Sequence, residues 1–119
     1  MPHPLQGVRI LELGQIIAGT YGSQVLTDLG AEVIKVETPE GDLGRIPSVA
    51  PYKGVSALFL TFNRNKKSIV INLKSDDGRA LFYDLVKQSD VVIDNSGTPD
   101  DLALEVAGLW TWILAQQPS

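Results

Sequence analysis

Apolar and polar positions follow two different rhythms along the first third of the chain. Val8, Ile10, Leu11 and Leu13 give apolar bulk to 8–13, and Val33, Ile34 and Val36 give it to 31–37, as buried strands require. Between them Tyr21, Val25, Leu26 and Leu29 recur at helical spacing, so 20–29 reads as a short helix turning those four side chains to the core. Gly30 stands where a helix C-terminal cap is wanted. Two parallel strands joined by a helix need a right-handed crossover, which places the Gly14–Thr20 turn at the carboxyl edge of a sheet. Ligands of open α/β sheets bind at that edge.

The rest of the chain extends this pattern. Residues 38–54, rich in proline and glycine and without a steady period, read as a long surface loop. Ser56–Phe62 is a compact apolar patch that periodicity leaves open between a short helix and a buried strand. Ser68–Leu73 reads as a strand. Ser75 followed by Asp76 and Asp77 marks a helix start, with Leu81, Phe82, Leu85 and Val86 as its inward face. Asp90–Asp94 reads as a further strand. The fold class that follows is α/β: a Rossmann-like open, mainly parallel sheet with flanking helices. Thr98, Pro99, Asp100 and Asp101 open a last helix, on which Leu109, Trp110, Ile113 and Leu114 can share a face that Trp112 cannot join.

Composition narrows the function classes. At 119 residues, 44% hydrophobic and 20% charged, the chain has the balance of one globular domain with a modest core. No apolar run approaches the roughly 18 residues of a membrane span, so no membrane role is expected. A net charge of −4 argues against nucleic acid as a partner. Zero cysteines exclude disulfides and thiolate metal sites and fit a cytoplasmic protein. His3, the one histidine, cannot build a metal site alone, and no metal is expected.

Two segments carry candidate chemistry. The turn from Gly14 to Gly22 has its glycines separated by four and then two residues, which is neither the dinucleotide fingerprint nor a P-loop. Its spacing leaves simple turn geometry and ligand contact equally open, though small residues before a helix would admit a phosphate or acyl thioester to backbone donors. The basic segment Asn63–Lys67 is either a solvated loop or an anion clamp of two amides and three cations. Asp94, at a strand's carboxyl end, fits a strand-ending turn as well as a site. No paired-carboxylate, Ser–His or metal-ligand constellation stands out, so no catalytic residue is assigned.

Three stretches together resemble a known family: PLQGVRILELGQIIAGTYGSQVLTDLGAEVIKVETPEGD, FNRNKKSIVINLKSDDGR and SDVVIDN. In this order they are similar to the N-terminal portion of the family III CoA-transferases, a group that includes formyl-CoA:oxalate and carnitine CoA-transferases and α-methylacyl-CoA racemase. The similarity runs over residues 4–96 of a single domain, 1–119, leaving 97–119 as a divergent tail. The resemblance implies a Rossmann-like CoA-binding domain at the start of a longer chain that forms interlocked, ring-like dimers. It places Gln15, Ile16, Ile17, Ala18, Gly19 and Thr20 along the CoA thioester. Glu37 begins the adenine-side loop, Arg45 matches a recurrent arginine, and Lys74 and Asn95 match positions that approach the nucleotide or pantetheine arm; Thr38, and Lys66 from the basic clamp, complete the expected CoA contacts.

Departures accompany the match. Thr20 stands where most members have proline, and Thr38 and Ser96 replace an arginine and an aromatic residue used around CoA. The aspartate that carries the acyl group in these transferases falls in family segments beyond Ser119, as do the racemase's proton-transferring residues. The expectation is therefore a CoA-binding part, inactive alone, of an enzyme moving CoA between an acyl-CoA thioester and a carboxylic acid, with CoA as substrate and no covalently bound cofactor. The alternatives are a non-catalytic CoA-binding or assembly subunit, part of a racemase-like enzyme, and a generic nucleotide-binding module. The expected partner is a second copy or a complementing second chain. Trp110 and Trp112 point to different sides of one helix, so at least one indole is expected on an exposed apolar patch, with self-association that Trp112→Ser weakens.

Overall fold

The computed structural model describes residues 2–15, 17–46 and 51–94, together with Leu104, Ala107, Gly108, Thr111, Trp112, Leu114 and Ala115, all seven of which are helical. The elements are β1 (Arg9–Glu12), α1 (Ala18–Asp28), β2 (Glu32–Glu37), a 3-10 turn (Leu43–Arg45), α2 (Ala57–Phe62), β3 (Lys67–Val70), α3 (Asp76–Lys87) and β4 (Val91–Ile93). The four strands form one parallel sheet in the order β3-β2-β1-β4. The chain thus runs outward from β1 through β2 to β3, then crosses to β4 on the other side of β1. That reversal puts the switch point of the sheet at the carboxyl end of β1, where the Leu13 N–H donates to Ile93 O at 2.9 Å.

Successive strand residues face opposite sides, so Ile10 and Leu11 seed two separate cores. Ile10, Val33, Ile93, Leu5 and Ala31 form one, covered by Leu26 of α1 and by Trp112. Leu11, Val36 and Ile71 form the other, covered by Phe82, Leu85 and Val86 of α3. The result is a three-layer α/β/α arrangement. No helix among the described residues is long and apolar enough to cross a membrane.

Helix α1 departs from the expected orientation. Of the four side chains expected inward, only Leu26 reaches a core; Tyr21, Val25 and Leu29 lie on the exposed side. The buried face is polar instead: Thr20, Ser23, Gln24 and Thr27. Three hydroxyls make this possible, because each donates to a carbonyl one turn back: Thr20 to Ile17 O (2.9 Å), Ser23 to Thr20 O (3.1 Å) and Thr27 to Gln24 O (2.7 Å). Short, self-satisfied side chains let the helix lie close over buried charge on the sheet, described below.

The other elements depart less. Gly30, at φ +100, closes α1 in the left-handed region, and a Cβ there would lie 2.2 Å from the Cβ of His3. Ser56 caps α2 by accepting from Leu58 N, which resolves that apolar patch as a helix. Strand β3 begins at Lys67 and ends at Val70, earlier than expected, because β2 stops at Glu37 and offers Ile71 only one more acceptor, Glu37 O. On α3, Ser75 caps by accepting from Gly78 N at 3.0 Å, and Leu81 lies outside the inward face, exposed. The expected helix start at Thr98–Asp101 lies outside the described residues, as do Leu109, Trp110 and Ile113. Trp112, expected off the apolar face, is half-buried against the Ile10 core.

Candidate functional site

On the α1 side of the sheet, the inward positions turn from apolar to charged toward the carboxyl edge. Ile10 and Val33 are paired across β1 and β2, and two residues further on Glu12 and Lys35 are paired in the same register. Both are buried, and Lys66 joins them from the segment before β3; the three side chains are 0–2% exposed. Lys35 Nζ lies 3.1 Å from Glu12 Oε1, 3.0 Å from Gly14 O and 2.6 Å from Asp42 Oδ2. Lys66 Nζ lies 3.0 Å from Glu12 Oε2, 2.9 Å from Thr20 O and 3.2 Å from Asn63 Oδ1. An ammonium has three N–H groups, so Lys66 has its full complement of acceptors inside the protein, whereas Lys35 hydrogen-bonds Glu12 and Gly14 O and meets Asp42 as an ion pair. Burial pushes Lys66 below the ordinary lysine value and Lys35 adds to this, while Glu12 opposes it.

Above this buried charge lies the turn that leaves β1. A Cβ on Gly14 would come within 3.0 Å of both Glu12 Oε1 and the Cα of Gly19, so the turn folds back on itself with backbone in contact and Gly14 has no room to enlarge. Gln15 and Ile17 are exposed and Gly19 is buried; Ala18 is the first residue of α1. Ile17, at the N-cap position, offers no side-chain cap, which leaves the first N–H groups of α1 to other acceptors.

A second cluster lies beside the first, where β2 ends. Glu37 accepts from Arg45 Nε and Nη2, both at 2.7 Å, from Asp42 N at 2.9 Å and from the Ser68 hydroxyl. Hydrogen bonds from Arg45, reinforced by Ser68 and Asp42 and opposed by burial, hold the Glu37 carboxyl down to about 2. The Arg45 guanidinium also sits 4.0 Å over the Phe59 ring. Asp42 accepts from Gly44 N at 2.7 Å and so shapes the 3-10 turn that presents Arg45. Thr38 hydrogen-bonds Glu40, whose carboxyl is lowered by its own backbone N–H, by Thr38 and by the nearby Lys74.

The structure gives the basic segment a different employment from an open clamp. Arg64 pairs with Asp28 at 2.6 Å, Lys67 pairs with Glu32, and Lys66 is the buried lysine of the Glu12 cluster. Each cation is met by a carboxylate of this chain. Lys74, by contrast, is exposed on the loop before α3. The expected residues Gln15, Ile17, Ala18, Gly19 and Lys66 thus converge around one turn, and Thr38, Arg45 and Lys74 belong to the region past β2. Ile16, Asn95 and Ser96 lie outside the described residues. Sequence reading passed over Glu12 and Lys35. Their signal was a single acid and a single base, each inside an otherwise apolar strand.

Comparison with known proteins supplies the family. The family model for CoA-transferase family III matches residues 5–110. The chain belongs to this family. Over 95 residues it is 47% identical to a succinyl-CoA–D-citramalate CoA-transferase from Chloroflexus aurantiacus, covering 79% of this chain and 24% of that protein. It is 34% identical over 119 residues to a succinyl-CoA–L-malate CoA-transferase alpha subunit from the same organism, covering 97% of this chain and 27% of the relative. A crystal structure of a CAIB/BAIF family protein from Brucella suis superposes with a TM-score of 0.74 at 38% identity, over 94% of this chain and 29% of the other. The chain spans about a quarter of the length of the curated family III relatives it matches.

Proposed function

We propose that this chain binds the CoA moiety of an acyl-CoA thioester as the N-terminal part of a family III CoA-transferase, in which CoA passes from the thioester to a carboxylic acid. The observation that carries the reading is the turn itself: Gly14 packed close against Gly19 at the sheet's switch point, leading into a helix whose first N–H groups have no side-chain cap. The thioester would lie along Gln15–Gly19. Thr38, Arg45 and the exposed Lys74 would face the nucleotide end, with Asn95 beside the pantetheine arm. Lys66 would act beneath the turn rather than on the phosphates, because its three donors are already engaged.

The 119 residues alone bind without exchanging acyl groups. A nucleophilic carboxylate must reach the thioester carbonyl, and Glu12 beneath the turn is fully buried between two ammonium groups. Glu37 is likewise tied to Arg45. A second reading, a CoA-binding or assembly subunit completed by another chain or copy in the cytoplasm, draws support from the likeness to a protein named as an alpha subunit.

Calorimetric titration with CoA tests the proposal. Saturable binding is expected, weaker in Lys74→Ala and falling as salt rises. Succinyl-CoA mixed with a carboxylic acid should show no exchange above the uncatalysed rate. Absence of CoA binding would overturn the binding role, and turnover abolished by a substitution within these residues would overturn the division of labour.

A further inference from the structure

We propose that Glu12, Lys35 and Lys66 are positioning residues that set the shape of the Gly14–Thr20 turn and aim its backbone donors; their value for CoA rests on the binding role proposed above. The two lysines hold the turn at its two ends, Lys35 through Gly14 O at 3.0 Å and Lys66 through Thr20 O at 2.9 Å. The Glu12 carboxylate joins them, one oxygen to each ammonium. In a trans peptide the N–H points opposite to the C=O. Drawing Gly14 O inward onto Lys35 therefore turns the Gln15 N–H outward, on a residue that is itself exposed.

Stability does not account for so much buried charge. Replacing a buried ion pair with well-packed apolar groups is often neutral or stabilising. What apolar side chains cannot supply is direction: Lys66, with all three N–H groups committed, fixes the Thr20 carbonyl, and Lys35, set between Glu12 and Asp42, holds the Gly14 carbonyl. The arrangement also links the turn to the region past β2, since Lys35 grips Asp42, which caps the 3-10 turn carrying Arg45.

The chain has no cysteine, so Lys66→Cys carries a single thiol. Alkylating it with 2-bromoethylamine in denaturant, before refolding, restores an ammonium at nearly the length of lysine. Amide hydrogen exchange is followed at Tyr21, Gly22 and Ser23, in the turn of α1 whose amides first find helical acceptors, and at Ile10, Leu11 and Val33 in the sheet. In Lys66→Cys, exchange at the start of α1 should quicken by about tenfold or more while the sheet amides keep their protection, and aminoethylation should reverse the change. CoA affinity should fall and recover in step. Unchanged exchange at the start of α1, or equal loss across the sheet, would overturn the proposal. Lys66→Met, which keeps the volume without donors, covers the case in which the cysteine variant does not fold: a local loss supports the proposal, and failure of both variants to fold makes Lys66 merely structural and overturns it. Wild-type protein that ignores CoA while the exchange pattern holds would refute the binding role and leave the turn-holding role supported.

Discussion

Glu37 shows how one residue organises its surroundings and how far its sequence discloses that. Its place at the end of an apolar strand was legible, and so was the recurrent Arg45 eight residues later. That the two meet was not, because the meeting depends on Asp42 turning the chain back through the 3-10 turn. The consequence is a pH dependence. The folded-state carboxyl is lowered from 4.5 to about 2, so its contribution to stability is present above about pH 4.5 and is lost as pH falls through about 2. Glu37→Gln should therefore be destabilised relative to wild type by about 1–2 kcal/mol near neutrality, a value reduced by the water around the half-exposed Arg45. Urea unfolding of both proteins should show that gap closing on acidification. A gap that stays constant down to about pH 2 would mean that the charge of Glu37 adds nothing. Glu12 and Lys35 escaped sequence reading for a related reason: an isolated charge in a strand is ordinarily solvent-facing, and only the pairing of β1 with β2 puts these two opposite each other.

Among elements, β1, β2 and β4 were read to within a residue at each end, because apolar runs bounded by turn residues leave few alternatives, whereas β3 stops three residues short of the expected Leu73. The existence of α1 was also legible, as were the Ser75 cap of α3 and the Gly30 stop. The orientation of α1 was not. Hydrophobic spacing assigns Tyr21, Val25 and Leu29 to the core, but buried charge at the carboxyl half of β1 and β2 requires a polar layer above it, and Thr20, Ser23, Gln24 and Thr27 provide that layer. Neighbouring residues should then respond oppositely to the same change. Val25→Ser should shift stability by less than about 0.5 kcal/mol, whereas Leu26→Ser, which empties a contact with the Ile10 core, should cost about 2 kcal/mol or more. Chemical denaturation of the two variants checks this, and a larger loss at Val25 would restore the orientation read from the sequence.

At the scale of the whole molecule, the parallel sheet and family membership agree with the sequence reading, while the placement of Trp112 does not. Trp112 contributes to the Ile10 core, so Trp112→Ser removes packing and cannot serve as a clean probe of association. Tyr21, Val25 and Leu29 of α1 are among the apolar side chains left facing outward. The central claim is that CoA lies at the carboxyl edge of the sheet, with its thioester on the glycine turn and its nucleotide end past β2. The most direct measurement is the map of backbone amide NMR shifts as CoA is added to the 119-residue chain. The account predicts that the largest changes gather at Gln15–Thr20, Thr38–Arg45, Lys74 and Asn95, with the C-terminal half of α3 little affected. Changes centred on the amino edge of the sheet, around Leu5–Val8 and Gly30, would contradict it.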